Sequence, residues 1–413
     1  MNIINARRDH YKVFSEAKIG RLTVPNRLVR SATEDTSLTE LGYVSEPVMN
    51  LYSGLARGGV GLIITGDFQA IPNGWLEKAD SFLNANSYEQ VRVQGLSELV
   101  NVIQTTALSC KVIAQISAHI RGFAPSAILS PLTGRMSVPL SNNQIKIIVK
   151  CVINTIVGLQ KEGFDGVQLH AAHGGLLSRF LSSYSNRRED EYGGSYENRA
   201  RIIKEIVSGA RIQVGDFPIL IKMNCTDYVD GGIDEYSFPF IAKEIEHCGV
   251  DAIEISGGMW DCLVRSEAEL GFRPVPAPES HTGMHSPEKQ SYFLKYAEAL
   301  DLKVPLILSG GNRDIERIEG IIRQKKVDFV SMCRPLICEP ELPNRWREGR
   351  GSSGTDCISC NSCIYDLRFH SKTGPPWVSH CLVKHEPSRV KIAQRWLSTF
   401  ERETRARGVN TRK

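Results

Sequence analysis

Residues 141–174 read SNNQIKIIVKCVINTIVGLQKEGFDGVQLHAAHG, a stretch that contains one helix and one strand in succession. Apolar residues recur at helical spacing over 145–161, and Ser141 before them is a favoured N-cap residue. Gly163 marks the end of the helix. The run 166–170 then predicts a strand that is apolar on both faces, as strands of buried parallel sheets are.

Eight apolar runs of this kind are separated by helix-length segments, at 28–33, 61–66, 111–117, 166–170, 218–223, 252–256, 305–309 and 328–332. Such alternation predicts a parallel sheet covered by helices, and eight units over roughly 330 residues favour a closed (β/α)8 TIM barrel. The alternative is an open, doubly wound sheet. No G-x-G-x-x-G opens the first helix, which argues against that alternative.

A second region follows the barrel, which we place at 1–348. The segment 349–355 is a linker rich in glycine and serine, and it begins a C-terminal extension over 349–413. After a cluster of cysteines, this extension is expected to form an amphipathic helix with a basic face. Its apolar face is expected to dock onto the barrel or onto a second subunit in a homo-oligomer, and it carries Val390, Ala393, Leu397 and Phe400.

Charge and hydropathy exclude several classes of partner. The chain of 413 residues has a formal net charge of +4, but residues 382–413 carry nine Lys or Arg against three Glu. No aromatic stacking array accompanies this basic tail, so a solvated helix is favoured over a nucleic-acid-binding surface. No apolar run approaches the roughly 18 residues of a membrane span. Since no secretory pattern begins at Met1, we predict a cytoplasmic protein.

A histidine pair stands where the fourth predicted strand ends. In a (β/α)8 barrel the reacting groups lie at the C-terminal ends of the strands, which is the position of His170. His173 follows three residues later, so a turn brings both imidazoles to one side. Two neutral imidazoles could each donate an N–H to one carbonyl oxygen of a substrate. The pair is equally compatible with hydrogen-bonded core histidines or with two ligands of a zinc site.

The residues around this pair resemble the signature of the old yellow enzyme family. The matching segments are His170-Ala-Ala-His-Gly, Leu176-Leu, Arg179-Phe-Leu-Ser, Asn186-Arg-Arg and Asp190-Glu-Tyr-Gly-Gly-Ser-Tyr-Glu-Asn-Arg199. Segments 25–33, 61–66 and 331–337 match in family order, so the resemblance covers about residues 12–350. It implies a barrel that binds FMN, takes a hydride from NADPH or NADH and passes it to a small-molecule substrate.

The resemblance also implies which residues contact the flavin ring. The backbone of Ser31, Ala32 and Thr33 would lie along the isoalloxazine. Gln115 would contact its pyrimidine edge. Lys222 stands where a cation faces N1 and O2, and there it would stabilise the anionic reduced ring.

The phosphate of FMN has a separate implied site after the seventh and eighth strands. The turn that contains Gly310 and Gly311 would supply backbone N–H groups, and Arg334 would supply a guanidinium. Cys333 also belongs to this site, although the family usually has glycine there.

One departure from the family pattern bears on the reaction. Two positions after the second histidine the family usually has a tyrosine that donates a proton to the substrate, whereas this chain has Gly175. Tyr228, Glu34 or a water could replace it, and Gly175 and Tyr228 would then lie in a pocket suited to a bulky substrate. We therefore predict hydride transfer to a carbonyl-conjugated alkene, with a flavin-dependent isomerase or a dehydrogenating enzyme acting on an enone as the alternative. A catalytically dead binding protein is disfavoured, because the flavin and phosphate contacts are complete.

Four of the eleven cysteines crowd into one stretch, at Cys357, Cys360, Cys363 and Cys381. Such crowding indicates ligation of a metal rather than disulfides. The spacing is close to that of larger family relatives such as trimethylamine dehydrogenase and dienoyl-CoA reductase, in which four thiolates hold a [4Fe–4S] cluster. Three readings stay open: an iron–sulfur cluster, a zinc site in which His370, His380 or His385 replaces a thiolate, or a vestigial cluster of free thiols.

Overall fold

The computed structural model describes residues 6–34, 43–71, 94–284, 286–365 and 378–411. Its centre is a closed barrel in which each strand pairs in parallel with its sequence neighbours and the eighth pairs with the first. The predicted barrel is thereby confirmed, and the open sheet is excluded. The strands are β1 Leu28–Arg30, β2 Leu62–Gln69, β3 Lys111–Ser117, β4 Gly166–Ala171, β5 Ile219–Asn224, β6 Ala252–Ser256, β7 Leu306–Leu308 and β8 Phe329–Met332.

Two strands differ from their predicted bounds. β1 ends at Arg30 instead of residue 33, because the chain leaves the sheet after Ser31, whose N–H still donates to Met332 O at 3.0 Å. β2 continues to Gln69, three residues beyond its apolar run. Its polar end stays paired with β3 past an irregularity in register between Ile64 and Asp67. Both differences lie at the C-terminal mouth of the barrel, where polar side chains replace the apolar pattern on which the prediction depends.

Helices surround the barrel. They are α1 Glu46–Arg57, α2 Leu96–Thr106, α3 Asn142–Lys161, α4 Leu176–Leu181, α5 Tyr196–Val214, α6 Phe238–His247, α7 Glu267–Leu270, α8 Leu294–Glu298, α9 Ile315–Arg323, α10 Arg334–Cys338, α11 Leu342–Arg347, α12 Leu382–His385 and α13 Pro387–Thr411. Single 3-10 turns occur at Lys12–Phe14, Trp260–Val264 and Pro287–Lys289. In the described ranges, no helix is long and apolar enough to cross a membrane.

The helix α3 begins where its sequence predicts. Ser141 Oγ accepts from Gln144 N at 3.2 Å, and Gln144 Oε1 accepts from Ser141 N at 2.9 Å. This reciprocal capping box satisfies two N–H groups that a helix start leaves without intrahelical partners. The helix ends at Lys161, and Gly163 follows with φ 91°, a conformation that favours glycine.

An N-terminal hairpin closes the bottom of the barrel. Its two strands, Ala17–Ile19 and Leu22–Val24, are antiparallel. Ile19 and Val24 are completely buried and join an apolar cluster with side chains from the barrel interior, including Phe329. Since this cluster fills the lower interior, the polar chemistry is confined to the upper half.

The C-terminal extension packs onto the barrel. Ala393 and Leu397 of α13 are buried, as its apolar face predicts, and the helix lies against the 3-10 turn Trp260–Val264. Arg273 and Glu401 form an ion pair at 2.7 Å between the two parts. The predicted linker 349–355 is also anchored, since Ile315 N donates to Ser353 O at 2.9 Å.

Candidate active site

The two histidines lie together at the mouth of the barrel, with ring centroids 5.3 Å apart. His170 ends β4, and the chain then turns so that His173 adopts the left-handed conformation, with φ 58°. Asn224 Oδ1 accepts from His173 N at 3.0 Å and holds this uncommon backbone conformation in place. The predicted turn therefore brings both imidazoles to one side.

Both imidazoles are neutral at physiological pH. Burial among protein atoms lowers the pKa of each well below its ordinary value, and that of His173 falls to about 3. The nearby cation Lys222 acts in the same direction for both rings. Each ring therefore carries one N–H.

Hydrogen bonds constrain where those N–H groups point. Ala172 N donates to His170 Nδ1 at 3.3 Å, so the proton of neutral His170 resides on Nε2. His173 Nε2 lies 2.7 Å from Ser256 Oγ. If the Ser256 hydroxyl donates, Nδ1 of His173 keeps an N–H for a ligand, whereas the opposite arrangement leaves Nδ1 an acceptor. Ser256 therefore decides whether His173 can act as the second donor.

A buried polar network lies in the barrel interior and centres on Glu254 of β6, which is completely buried. Ser31 Oγ and Ser331 Oγ each donate to Glu254 Oε1 at 2.7 Å, and Lys222 Nζ lies 3.3 Å from the same oxygen. Gln168 Nε2 donates to Glu254 Oε2 at 2.8 Å. One carboxylate thus joins side chains from β4, β5 and β8 and from Ser31, the residue that follows β1.

Two of the predicted flavin contacts are oriented by this network. Gln115 Nε2 donates to Gln168 Oε1 at 2.7 Å, and Lys222 Nζ donates to Ser31 Oγ at 2.8 Å. Burial alone would raise the pKa of Glu254, but Lys222 and the hydrogen-bond donors outweigh it, so the pKa is lowered and the group is ionised. The Lys222 ammonium therefore lies beside an ionised carboxylate, and its charge also acts on both imidazoles.

The predicted phosphate residues also come together. Gly310 and Gly311 adopt φ of 93° and 76° after β7, and the buried Arg334 begins α10 beside them. Arg334 Nη1 donates to His281 O at 2.8 Å and to Asn361 Oδ1 at 2.5 Å. Cys333 has φ −111°, which any side chain tolerates, so the cysteine causes no strain where the family has glycine.

One feature of this region favours the binding of a phosphate, and another opposes it. Arg313 is buried in the same region, and its Nε has no hydrogen-bond partner in the described structure. A phosphate oxygen would supply that missing acceptor. The rings of Tyr292 and Phe293, however, cover the two glycines, lying 2.6–2.9 Å from where a Cβ would stand. The residues predicted to bind the flavin ring are therefore held by hydrogen bonds, whereas the residues predicted to bind its phosphate are tightly packed by aromatic rings.

The remaining predicted contacts lie around the mouth. Ala32 and Thr33 are partly exposed there, and Thr33 Oγ1 lies 3.1 Å from Cys333 Sγ. Gly175 is the N-cap residue of α4, with φ −61° and ψ 165°, and leaves no side chain beside the histidines. Tyr228 packs against Phe272 with centroids 4.8 Å apart, and burial raises its pKa, so its hydroxyl keeps its proton. Its role as a proton donor stays a prediction.

The four clustered cysteines line one cavity of about 150 Å³, together with a fifth, Cys338 of α10. Cys338 and Cys381 share a hydrogen bond, which lowers the pKa of Cys381. In the parts of the chain that the structure describes, however, no three Cys, His, Asp or Glu side chains converge closely enough to hold one metal ion. His380 is engaged with Glu386 at 2.7 Å, and His370 lies outside the described residues.

Sequence reasoning missed Glu254, Gln168 and Ser256, although a signal for two of them was present. Gln168 and Glu254 interrupt otherwise apolar strands, and a carboxylate in the middle of a buried strand requires a partner inside the barrel. Ser256 had no comparable signal, because a serine at a strand end is common.

Comparison with known proteins places these features in a family. The model of the NADH:flavin oxidoreductase / NADH oxidase family matches residues 12–353. The chain is 32% identical over 370 residues to an NADH oxidase of Thermoanaerobacter brockii, covering 85% of this chain and 53% of that protein. It is 29% identical over 381 residues to a cinnamate reductase of Clostridium sporogenes, covering 86% of this chain and 55% of that protein. The chain thus spans about half the length of these curated relatives.

A solved structure shares the fold. The old yellow enzyme homologue from Zymomonas mobilis superposes with a TM-score of 0.64 at 20% identity, covering 88% of this chain and 97% of that one. Together with the match over residues 12–353, the evidence of barrel and site shows that the chain belongs to the NADH:flavin oxidoreductase / NADH oxidase family, whose members are FMN-dependent NAD(P)H oxidoreductases of the old yellow enzyme type.

Proposed function

We propose that this protein is an FMN-dependent oxidoreductase that transfers a hydride from NADPH or NADH to a bulky, carbonyl-conjugated alkene. The observation that carries the proposal is the pair of neutral imidazoles, 5.3 Å apart, at the mouth of the barrel that also holds Gln115 and Lys222. Neutral N–H donors stabilise negative charge that develops on a carbonyl oxygen without giving up a proton to it.

The two histidines would bind the substrate through its oxygen. His170 donates from Nε2, since its Nδ1 accepts from Ala172 N. His173 donates from Nδ1 when the Ser256 hydroxyl donates to its Nε2. Both donors draw electron density from the conjugated alkene and prepare its β-carbon for hydride attack.

Bound FMN would supply the hydride-transfer chemistry, held at its ring by Ser31, Gln115 and Lys222 and at its phosphate by Arg334. The network around Glu254 fixes the side chains of Gln115 and Lys222 before any ligand arrives. The aromatic rings over Gly310 and Gly311 must shift for the phosphate to reach their N–H groups.

The test is direct. The purified protein is expected to be yellow or to take up added FMN, and to oxidise NADPH or NADH in the presence of an activated alkene such as cinnamaldehyde. A protein that stays colourless after incubation with FMN would refute the proposal.

Gly175 favours a second candidate, a flavin-dependent isomerase or a dehydrogenating enzyme acting on an enone. Without the family's tyrosine, the chain offers no acidic side chain at that position for the carbon opposite the hydride. A reaction that needs no such proton is compatible with the rest of the site. Incubation of the flavin-loaded protein with enones in the absence of NAD(P)H would give an isomerised product if this candidate holds, and only NAD(P)H-dependent reduction if it does not.

In the cysteine cavity the described thiols do not converge on one ion, and no step of the proposed reaction runs through a metal there. An iron–sulfur cluster, a zinc ion and free thiols remain the three candidates. Elemental analysis and the visible spectrum of anaerobically purified protein distinguish them, because iron with sulfide, zinc, or neither would be found.

A further inference from the structure

A cavity of about 410 Å³ opens on the same face of the barrel as the histidine pair. Its walls are the loop that follows β3, the segment 128–137, the start of α4 and the C-terminal part of α13. Gly174, which directly follows His173, forms part of the wall. The cavity therefore adjoins the histidine pair, and its volume lies within the range of small-molecule sites, roughly 300–1,000 Å³.

The charges that line this cavity are positive. No Asp or Glu occurs among the described lining residues. Four arginines line the cavity, namely Arg121, Arg135, Arg179 and Arg407. We call this site the arginine cavity. Arg179 is held at its wall because Nε donates to Gly174 O at 2.9 Å. Arg121 and Arg135 form no ion pair with any carboxylate in the described ranges.

His119 also lines the cavity, and the arginine charges affect its pKa. Burial lowers its pKa, and the positive charges of Arg179 and then Arg121 lower it further, whereas Asp67 acts in the opposite direction. Positive charges from separate elements are thus close enough to act on one imidazole. Guanidinium groups that line one cavity repel one another, and an anion bound among them would offset this repulsion and could accept bidentate hydrogen bonds.

The rest of the wall is apolar, with Ile120, Phe123, Ile128 and Leu176. A free inorganic ion would gain nothing from these side chains, whereas an organic ligand with a charged end matches both kinds of surface. We propose that the arginine cavity binds a carboxylate or phosphate carried by the same ligand whose reactive end lies at His170 and His173. The inference rests on the proposed function and specifies the chemical class of its ligands.

Two ligands could bring that oxyanion, an acidic electron acceptor and the pyrophosphate of NAD(P)H. The test compares the double variant Arg121→Ala/Arg135→Ala with a control that removes the same charge from the opposite end of the barrel, Arg57→Ala/Lys161→Ala. KM is measured for uncharged cinnamaldehyde, for 4-carboxycinnamaldehyde, which keeps the same conjugated aldehyde and adds a carboxylate at the far end of the ring, and for NADPH. Loss of charged hydrogen bonds of this kind weakens binding by about tenfold or more per pair.

If the acceptor supplies the oxyanion, the double variant raises KM for 4-carboxycinnamaldehyde about tenfold or more and leaves KM for cinnamaldehyde and NADPH unchanged. If the nucleotide supplies it, KM for NADPH rises with either acceptor. The proposal would be overturned if, for each of the three ligands, KM were the same in the double variant, the control and the unaltered protein.

A binding measurement separates this inference from the proposed function. Inorganic pyrophosphate is titrated into the purified chain by calorimetry, with or without flavin. The unaltered protein and the control are expected to bind it, and Arg121→Ala/Arg135→Ala is expected to bind at least about tenfold more weakly. If the protein does not take up FMN, the proposed oxidoreductase function is refuted, but the pyrophosphate titration still tests the cavity. If all three proteins bind pyrophosphate equally, anion binding in the arginine cavity is refuted and the proposed function is not affected.

Discussion

Glu254 is ionised inside the barrel because every neighbour of its carboxylate favours the charged form. Ser31 and Ser331 donate to one oxygen, Gln168 donates to the other, and Lys222 supplies the opposite charge. A buried carboxylate without such partners would instead take up a proton. The same contacts fix Lys222, so the electrostatics of the proposed flavin site depend on Glu254 as well as on the residues that would touch the flavin.

Replacing Glu254 with Gln is expected to destabilise the fold by about 3 kcal/mol or more, because it leaves the Lys222 ammonium buried without a counter-charge. The pKa of Glu254 is lowered in the folded state, so its contribution is fully present above the ordinary value of 4.5 and is lost as the pH falls through the folded value. Urea unfolding at pH 7 and at acidic pH measures both effects. The double variant Glu254→Gln/Lys222→Met should recover part of the loss, and strictly additive losses would contradict the pairing.

His170 is expected to be one of the two hydrogen-bond donors to the carbonyl oxygen of the substrate. His170→Ala is expected to lower kcat for an enone about 10²- to 10³-fold, since it removes one donor to the carbonyl oxygen. FMN binding should be unchanged. Steady-state kinetics with a flavin titration check both, and His170→Asn, which retains an N–H donor, should recover part of the rate. Unchanged kcat in His170→Ala would remove the histidine from the substrate site.

Gly175 allows a gain of function to be tested. Its φ of −61° is open to any residue, and an added Cβ would stand 3.3 Å from Ala172 O, so only a small adjustment is needed. Gly175→Tyr is expected to increase alkene reduction by up to about 10²-fold by supplying a proton donor. Gly175→Phe matches its bulk without the hydroxyl. Equal rates for the two variants would show that proton donation at this position does not limit the reaction.

The helix α13 packs closely against the barrel at Gly408. Gly408 lies where an added Cβ would come within 2.5 Å of Val264 Cβ. Gly408→Ala is therefore expected to loosen α13 at a cost of about 1 kcal/mol or more and to make the helix more accessible to trypsin. Adding Val264→Gly, which removes the contacted Cβ, should restore resistance to digestion. If the double variant is digested as fast as Gly408→Ala alone, the contact is not what holds the helix.

The whole barrel depends on the hairpin that closes its lower end. Ile19 is fully buried among interior side chains from several strands, so Ile19→Ala is expected to lower the free energy of unfolding by about 2–5 kcal/mol. The urea midpoint measures this effect. Leu108, whose side chain is 86% exposed, provides the control, and Leu108→Ala should leave the midpoint unchanged. A small effect of Ile19→Ala would mean that the hairpin only covers the barrel.

Local patterns in the sequence determined the order of elements and the positions of the candidate site residues. Apolar runs such as 166–170 became strands, and Ser141 capped α3 as its position predicts, because both depend on nearest neighbours along the chain. The histidine pair was also predictable, since a strand end followed by a short turn places both rings together. The family resemblance then supplied Gln115, Lys222 and Arg334.

Tertiary structure alone decided which side chains meet across the barrel. Glu254 and Ser31 are 223 residues apart in sequence, but Ser31 Oγ and Glu254 Oε1 are 2.7 Å apart in space, because barrel closure brings β6 and the end of β1 to one interior. For the same reason Arg407 of the last helix lines a cavity with Arg121 of the β3 loop. Periodicity records which face of an element is buried and carries no information about which distant element covers it, so these contacts follow only from the closed fold.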